Sequence, residues 1–204
     1  MQIKIGLENN NEGRSIAWAL DYPGCFAYGR EGAEAIIRVP QALIAYKNWI
    51  DGYSPDSWIK DLGDFDIRLV ETVEYVRLNK KYELDPEGNW EACAWFHHDW
   101  LPLSEIEIQH SLDVLAWGHN DLVELVAALD GEKLDQKLPE ERWSISGILR
   151  HVANAEWYYL DSLSLAEFTR EELPENVFDR IQTTLNWTKE ALPKLVGVEE
   201  VRGR

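Results

Sequence analysis

The sequence predicts an α+β protein in two parts: a small antiparallel sheet with one helix (residues 1–100), then an up-and-down helical bundle (residues 101–204). Two observations lead to this prediction. Near the start of the chain, apolar residues alternate with polar ones in short runs bounded by turn-forming residues, which is typical of strands. After Ser104 the apolar residues recur every three or four positions over long stretches, which is typical of amphipathic helices.

Four strands and one helix are predicted in the first part. The strands show alternating apolar residues or β-branched and aromatic runs between turn clusters. Residues 32–50 are helical in composition. Pro40 lies inside that segment and predicts either a kink or the start of a second helix, because proline lacks an N–H and its ring clashes with the preceding turn. The predicted strands cover residues 3–7, 15–20, 67–76 and 90–96.

Three long helices are predicted in the second part. Ser104, with a glutamate three residues later, forms a capping box and begins the first helix, and Gly131 is expected to end it. Ser144 caps the second helix, and Pro174 opens the third, which Pro193 bends or ends. The apolar seam of the first helix consists of Ile108, Leu112, Leu115, His119, Leu122, Val126 and Leu129.

Charge and composition exclude several classes of function. The formal net charge of -17, with scattered Lys and Arg, predicts that the chain binds neither nucleic acid nor anionic membrane, since both need clustered basic residues. No apolar run approaches the roughly 20 residues of a membrane-spanning helix. The N-terminus lacks a signal-peptide pattern, so a cytoplasmic protein is predicted. Cys25 and Cys93 form no CxxC motif and are expected to be reduced thiols in or near a core.

Two polar residues fall where the helical pattern expects apolar ones. His119 occupies the seam of the first helix, and Glu156 lies near the middle of the apolar face of the second. Metal and ligand sites are built in bundle interiors, so both are candidates for a buried site. The alternatives are a core histidine satisfied by a neighbour and a carboxylate paired with an arginine. His97 and Asp99, which would share one face of a strand, are a further candidate pair; the alternative is polar surface.

A short motif in the first part suggests a resemblance. Residues 21–29, Asp-Tyr-Pro-Gly-Cys-Phe-Ala-Tyr-Gly, precede a helix rich in Ala and Glu and resemble the HicB-like fold, whose members carry a similar run at this place. The motif has a structural explanation, because Pro23 and Gly24 turn the chain and the small Cys25 can pack under the following helix. HicB proteins of toxin–antitoxin systems bind a toxin, so the resemblance implies an antitoxin-like role as one alternative.

The second helix carries the most specific motif of the sequence. Trp143, Ser144, His151 and Glu156 have the spacing of the W-S-I-x-x-x-L-x-H-x-x-x-x-E signature of DinB-like (YfiT-like) proteins, which residues 100–200 resemble. The resemblance implies a four-helix bundle, often dimeric, that binds a divalent metal such as zinc or nickel through three histidines. It also implies an activity as a metal-dependent hydrolase or thiol-dependent transferase. Carried over residue by residue, it assigns only His151 as a metal ligand.

The same resemblance implies an incomplete metal site. The family's other two ligands lie in a fourth helix, and the third helix predicted here matches the family's third, whereas a catalytic zinc needs three protein ligands. Two functions therefore stay open: an activity related to those enzymes, and a non-catalytic module that binds a small ligand or a partner protein. An uncovered apolar face on three helices predicts a homodimer or a partner protein on the open bundle. Tyr158, seven residues after His151, joins His119 and Glu156 as a candidate pocket residue.

Overall fold

The computed structural model describes residues 1–81, 83–88, 90–92 and 95–199, and the chain divides into two compact units, Met1–Leu101 and Pro102–Arg204. The first unit holds a sheet and one long helix, and the second is helical. This arrangement confirms the predicted α+β class. Cys93 lies outside the described residues. Over the part of the chain that is described, none of the helices has both the length and the apolar character needed to cross a membrane.

Four strands form the main sheet of the first unit, in the spatial order β3-β2-β1-β4. Neighbours β1, β2 and β3 pair antiparallel, because the short turns between them reverse the chain. Two further strands, β5 and β6, form a separate antiparallel pair. The strands are β1 (Gln2–Asn11), β2 (Arg14–Ala19), β3 (Phe26–Gly29), β4 (Asp66–Glu74), β5 (Val76–Leu78) and β6 (Trp90–Ala92).

The main sheet is mixed, so the prediction of a wholly antiparallel sheet is wrong in one strand. β4 runs parallel to β1 at the edge of the sheet. After β3 the chain enters helix α1 (Gly32–Tyr53), which packs on the sheet and brings the chain back beside β1 in the same direction. Alternating hydrophobicity is the same in parallel and antiparallel strands, so the sequence pattern could not distinguish them.

Helix α1 covers one face of the sheet as a single element that runs through Pro40, so the alternative of a second helix beginning there is wrong. Its buried residues recur every three or four positions and pack toward the buried residues of β1, β2 and β3. Gly29 permits this approach, because a Cβ on Gly29 would lie 2.2 Å from the backbone N of Ala35. The buried residues of α1 are Ala35, Val39, Leu43, Tyr46 and Ile50.

The described part of the second unit has three long α-helices and one short one. Ser104 caps α2 with the predicted capping box, and the Ser144 side chain caps α4, so both predicted starts are confirmed. Helix α5 contacts both α4 and α2. The helices are α2 (Glu105–Val126), α3 (Gly131–Asp135), α4 (Ile145–Ser162) and α5 (Val177–Ala191). Their core contains Val126, Leu134, Leu149, Ala153, Val177 and Ile181.

Two predicted helix boundaries in this unit are wrong because side-chain caps decide them. Gly131 opens α3 instead of ending α2, since the Asp130 side chain accepts a hydrogen bond from the first turn of α3. Helix α5 begins only after Asn176, whose side chain accepts from two backbone N–H groups, and not at Pro174. Pro193 ends α5 as predicted, and the chain continues there as a 3-10 turn.

Candidate functional site

A buried polar network joins the three long helices of the second unit. His119 on α2 is 6% exposed, and its Nε2 lies 2.5 Å from Oε1 of Glu156 on α4. Thr184 on α5 is fully buried and donates its hydroxyl to Oε2 of the same carboxylate at 2.7 Å. Each carboxylate oxygen thus has a partner from a different helix. A buried carboxylate needs such partners, because its desolvation is otherwise costly.

The hydrogen-bonding roles in the network follow from the chemistry of its groups. When Glu156 is ionised both of its oxygens accept, so His119 in that state donates through Nε2–H. The other ring nitrogen, Nδ1, is buried and has no hydrogen-bond partner among the described residues. In the neutral imidazole, Nδ1 carries a lone pair that can accept a proton or a hydrogen bond. The network can therefore fix the orientation of the His119 imidazole.

The sequence predicted two members of this network but neither their pairing nor the third member. His119 and Glu156 were each expected to point into the bundle, and both do so. The arginine suggested as a partner for Glu156 is replaced by His119 and Thr184. Thr184 could have been found from its spacing, because it lies three residues after the buried Ile181 and four before the buried Thr188.

A buried arginine was also missed. Arg180 on α5 is buried, and burial lowers the pKa of its guanidinium. Its Nε donates to the Asn154 side chain on α4, and its Nη1 donates to the carbonyl of Pro174 in the preceding loop. These acceptors are uncharged. The two hydrogen bonds link α5 to α4 and to the loop that precedes α5. Arg180 therefore has a structural role.

His151, the family's metal-ligand position, is exposed on α4. Its ring packs against Trp143, with ring centroids 4.6 Å apart. The Arg142 guanidinium lies over the Trp143 ring at 4.5 Å from its centroid. These three side chains form a stacked group on the surface near the start of α4, apart from the buried network of His119. The assignment of His151 as a metal ligand stays a prediction.

The described residues do not fit a three-histidine metal centre within one chain. Across the residues that the structure describes, no three His, Cys, Asp or Glu side chains come together in a way that could hold a metal ion. His151 packs against the Trp143 ring, and His119 forms a hydrogen bond with Glu156. A catalytic zinc requires three protein ligands and an open position, so donors from outside this set would be needed.

His97 and Asp99 also take positions that differ from the predicted strand. They lie in a 3-10 turn, where the Asp99 carboxylate accepts the backbone N–H of Phe96. His97 donates its backbone N–H to Glu71, and both His97 and His98 line an open cavity of about 240 Å³ in the first unit. Asp99 is thus used as a cap, and the paired-face arrangement expected of a strand does not occur.

Helix α4 exposes an apolar face opposite its buried side. Six residues spaced at intervals of three, one, three, three and one positions share this face, which we call the α4 open face. Tyr158 is 60% exposed, Tyr159 is 63% exposed and Ile148 is 43% exposed. The face contains no Lys, Arg, Asp or Glu. Its members are Ile148, His151, Val152, Ala155, Tyr158 and Tyr159.

Comparison with known proteins gives one match. Residues 115–201 match the family model described as the DinB superfamily, which is less than half of the 204-residue chain. No curated protein and no solved structure matches the chain. The matched segment runs from inside α2 through α5 and contains His119, His151 and Glu156. It does not reach the first unit, whose HicB-like resemblance stays a prediction. Over residues 115–201 this chain is therefore similar to the DinB superfamily.

Proposed function

We propose that the C-terminal unit is a non-catalytic association module that pairs with a second copy of the chain through the α4 open face. The observation that supports this is the character of that face, which exposes two tyrosines and an isoleucine and carries no Lys, Arg, Asp or Glu. Contiguous exposed apolar surface of this kind marks interaction sites in soluble proteins. Tyrosine is enriched among the residues that dominate binding energy at interfaces.

A second copy is the occupant that the charge distribution favours. The chain has a formal net charge of -17, so most of its surface repels another copy. A two-fold interface places the same patch on both subunits and therefore requires a patch that does not repel itself. The α4 open face meets this requirement, and homodimer interfaces are more apolar than other protein surfaces.

The oligomeric state of the purified full-length chain tests the proposal. We expect light scattering after gel filtration to give twice the 23.6 kDa of one chain. Replacing both tyrosines (Tyr158→Glu and Tyr159→Glu) should yield a monomer, because each copy would bring two like charges to the interface. Both side chains are exposed, so the variant should still fold, and its thermal midpoint should fall only by what the lost pairing contributed.

Leu125→Glu is the matched control. Leu125 is 79% exposed on α2 and lies outside the α4 open face, so this variant adds a carboxylate to an exposed apolar position without touching the proposed interface. It should stay dimeric. A parent chain that is monomeric at every concentration, or a dimer that survives both tyrosine changes, would contradict the proposal.

A metal-dependent activity is the second candidate, supported by the match to the DinB superfamily and by the place of His151. His151 belongs to the α4 open face, so in the proposed pair each copy would bring its own His151 to the interface. Elemental analysis of the parent and of His151→Ala separates the two candidates, with His98→Ala as a control. Near-stoichiometric zinc or nickel in the parent and in His98→Ala, but not in His151→Ala, would favour the metal-dependent activity. No bound metal in any of the three proteins would favour the association module.

A further inference from the structure

An arginine-lined cavity lies in the first unit, at the end of β3 where α1 begins. It has a volume of about 330 Å³ and is open to solvent. Three arginines line it, in a chain whose acidic residues outnumber its basic ones by 37 to 20. This cluster could not be predicted from the sequence, because its three arginines come from β2, the β3–α1 junction and the second turn of α1. The lining residues are Arg14, Tyr28, Gly29, Arg30, Glu34 and Arg38.

Two of the three arginines are available to a ligand. Among the described residues, Arg14 and Arg30 form no ion pair. The Arg14 guanidinium lies 5.9 Å from the centroid of the Tyr28 ring, which orients it without neutralising it. A guanidinium presents several N–H donors in a planar fork, which matches the oxygens of a phosphate.

The third arginine, Arg38, and the one carboxylate in the lining, Glu34, already bind neighbouring groups. Arg38 donates to the backbone carbonyl of Tyr28 at 3.0 Å and to Glu34 at 2.5 Å. Glu34 also accepts the backbone N–H of Arg30 at 2.7 Å, and this hydrogen bond is the main reason why the pKa of Glu34 is lowered. The charges of Arg38 and Arg30 also lower the pKa of Glu34, so this one carboxylate faces three guanidinium groups and positive charge remains in excess in the cavity.

An exposed aromatic row continues from the cavity along the sheet. Tyr28 and Phe26 on β3 meet edge to face, with ring centroids 5.3 Å apart, and Phe26 in turn lies 5.0 Å from Trp18 on β2. Both Tyr28 and Phe26 are exposed. Aromatic side chains beside a basic site provide surfaces on which a flat ring can stack.

We propose that this cavity binds the phosphate group of a small nucleotide-like ligand, with Arg14 and Arg30 contacting the phosphate and the flat ring of the ligand lying on Tyr28. The arrangement supplies charge-assisted donors at one end and a stacking surface at the other. Neither requires any residue of the helical unit, so the site is independent of the proposed association through α4.

Binding of AMP, inorganic phosphate and adenosine to the full chain tests this inference. We expect AMP to bind saturably at low salt and to shift the backbone amide resonances of Tyr28, Gly29 and Arg30. AMP should bind about tenfold more tightly than phosphate, since a single base-on-aromatic stack supplies about that factor. Adenosine, which lacks the anion, should bind more weakly than AMP. The affinity for AMP should fall as salt rises.

Substitutions separate the two halves of the proposed site. The Arg14→Gln and Arg30→Gln changes should each weaken AMP about tenfold, the size expected for one lost charge-assisted contact. Arg68→Gln, which removes the same charge from β4 outside the cavity, should leave the affinity unchanged. Tyr28→Leu should remove the preference for AMP over phosphate.

Three results would overturn the inference. No saturable shift at residues 28–30 with AMP or phosphate would remove the site altogether. Equal effects of Arg14→Gln and Arg68→Gln would show that binding follows net charge and not the cavity. Equal affinities for AMP and phosphate in the parent would remove the role given to Tyr28.

Discussion

Glu156 is a carboxylate held within the helical unit by donors from two other helices. Its side chain is 13% exposed, and His119 and Thr184 occupy its two oxygens. Removing one partner from such a group leaves the other uncompensated and is costly, whereas replacing both partners by apolar side chains can be nearly neutral. The network therefore contributes more to fixing how α2, α4 and α5 are turned toward one another than to net stability.

A double-mutant cycle on this pair tests that view. His119→Leu and Glu156→Leu should each lower the free energy of unfolding by about 2–4 kcal/mol, because each leaves a buried polar partner unsatisfied. The double variant should lose at least about 1 kcal/mol less than the sum of the two. Urea unfolding followed by far-ultraviolet circular dichroism gives the energies, and additive losses would contradict the coupling. Thr184→Ser is the control, because it changes a member of the network but keeps the hydroxyl that donates to Glu156.

At this scale the sequence predicted positions but not partners. The helical period placed His119 and Glu156 on inner faces, because the period alone determines which side of a helix a residue occupies. Their pairing depends on the rotation and offset of α2 against α4, which no local pattern encodes. The sequence left the burial of His151 undecided for the same reason, since a residue at the edge of an apolar helix face can be either buried or exposed.

Helix α1 illustrates the same limit at the scale of an element. Pro40 predicted either a kink or the start of a second helix, and α1 continues through it as one helix from Gly32 to Tyr53. The buried residues on both sides of Pro40 pack on one sheet, so tertiary packing offsets a local penalty of about 3 kcal/mol. Proline still removes one N–H donor from the helix and crowds the carbonyl four residues earlier.

Replacing this proline should stabilise the first unit. We expect Pro40→Ala to raise the free energy of unfolding by about 2 kcal/mol, which is the helix penalty of proline less the roughly 0.4–1 kcal/mol that proline contributes by restricting the unfolded chain. Chemical denaturation monitored by Trp fluorescence measures it. Gln41→Ala, at an exposed neighbouring position of α1, should change stability by no more than about 0.5 kcal/mol. A destabilised Pro40→Ala variant would show that the proline ring packs productively.

Features of the helices and strands that depend on neighbouring residues were predicted, and features that depend on distant residues were not. The capping box and apolar seam of α2 and the Ser144 cap of α4 were predicted because they depend on residues within one or two turns. The parallel pairing of β4 with β1 was not, because it depends on a connection through β2, β3 and α1. The arginine cavity is likewise assembled from separate elements, and only the fold brings Arg14 beside Arg30 and Arg38.

At the scale of the whole molecule the dominant feature is charge. The chain carries a formal net charge of -17 and a sequence pI of about 4.6, so it opposes its own compaction at neutral pH. Its exposed ion pairs, such as those of Lys4 with Asp21 and Lys60 with Asp56, are individually worth about 0–1 kcal/mol. We therefore expect self-repulsion to outweigh these pairs, so that screening by salt stabilises the folded chain more than it weakens the ion pairs.

Salt should accordingly stabilise this protein. We expect the thermal midpoint at pH 7 to rise as NaCl increases from about 0.01 M to 0.3 M, since the Debye length falls from about 30 Å to below 10 Å over that range. Most of the rise should be complete by then, because screening of charge repulsion saturates whereas the general salting-out effect continues to grow with concentration. Differential scanning calorimetry of the parent measures the trend.

The variant that carries both Tyr158→Glu and Tyr159→Glu is the control. Its thermal midpoint should also rise with salt, which separates self-repulsion within one chain from salt-favoured pairing of two chains. A midpoint that falls with salt in both proteins would mean that specific ion pairs, and not net charge, govern stability.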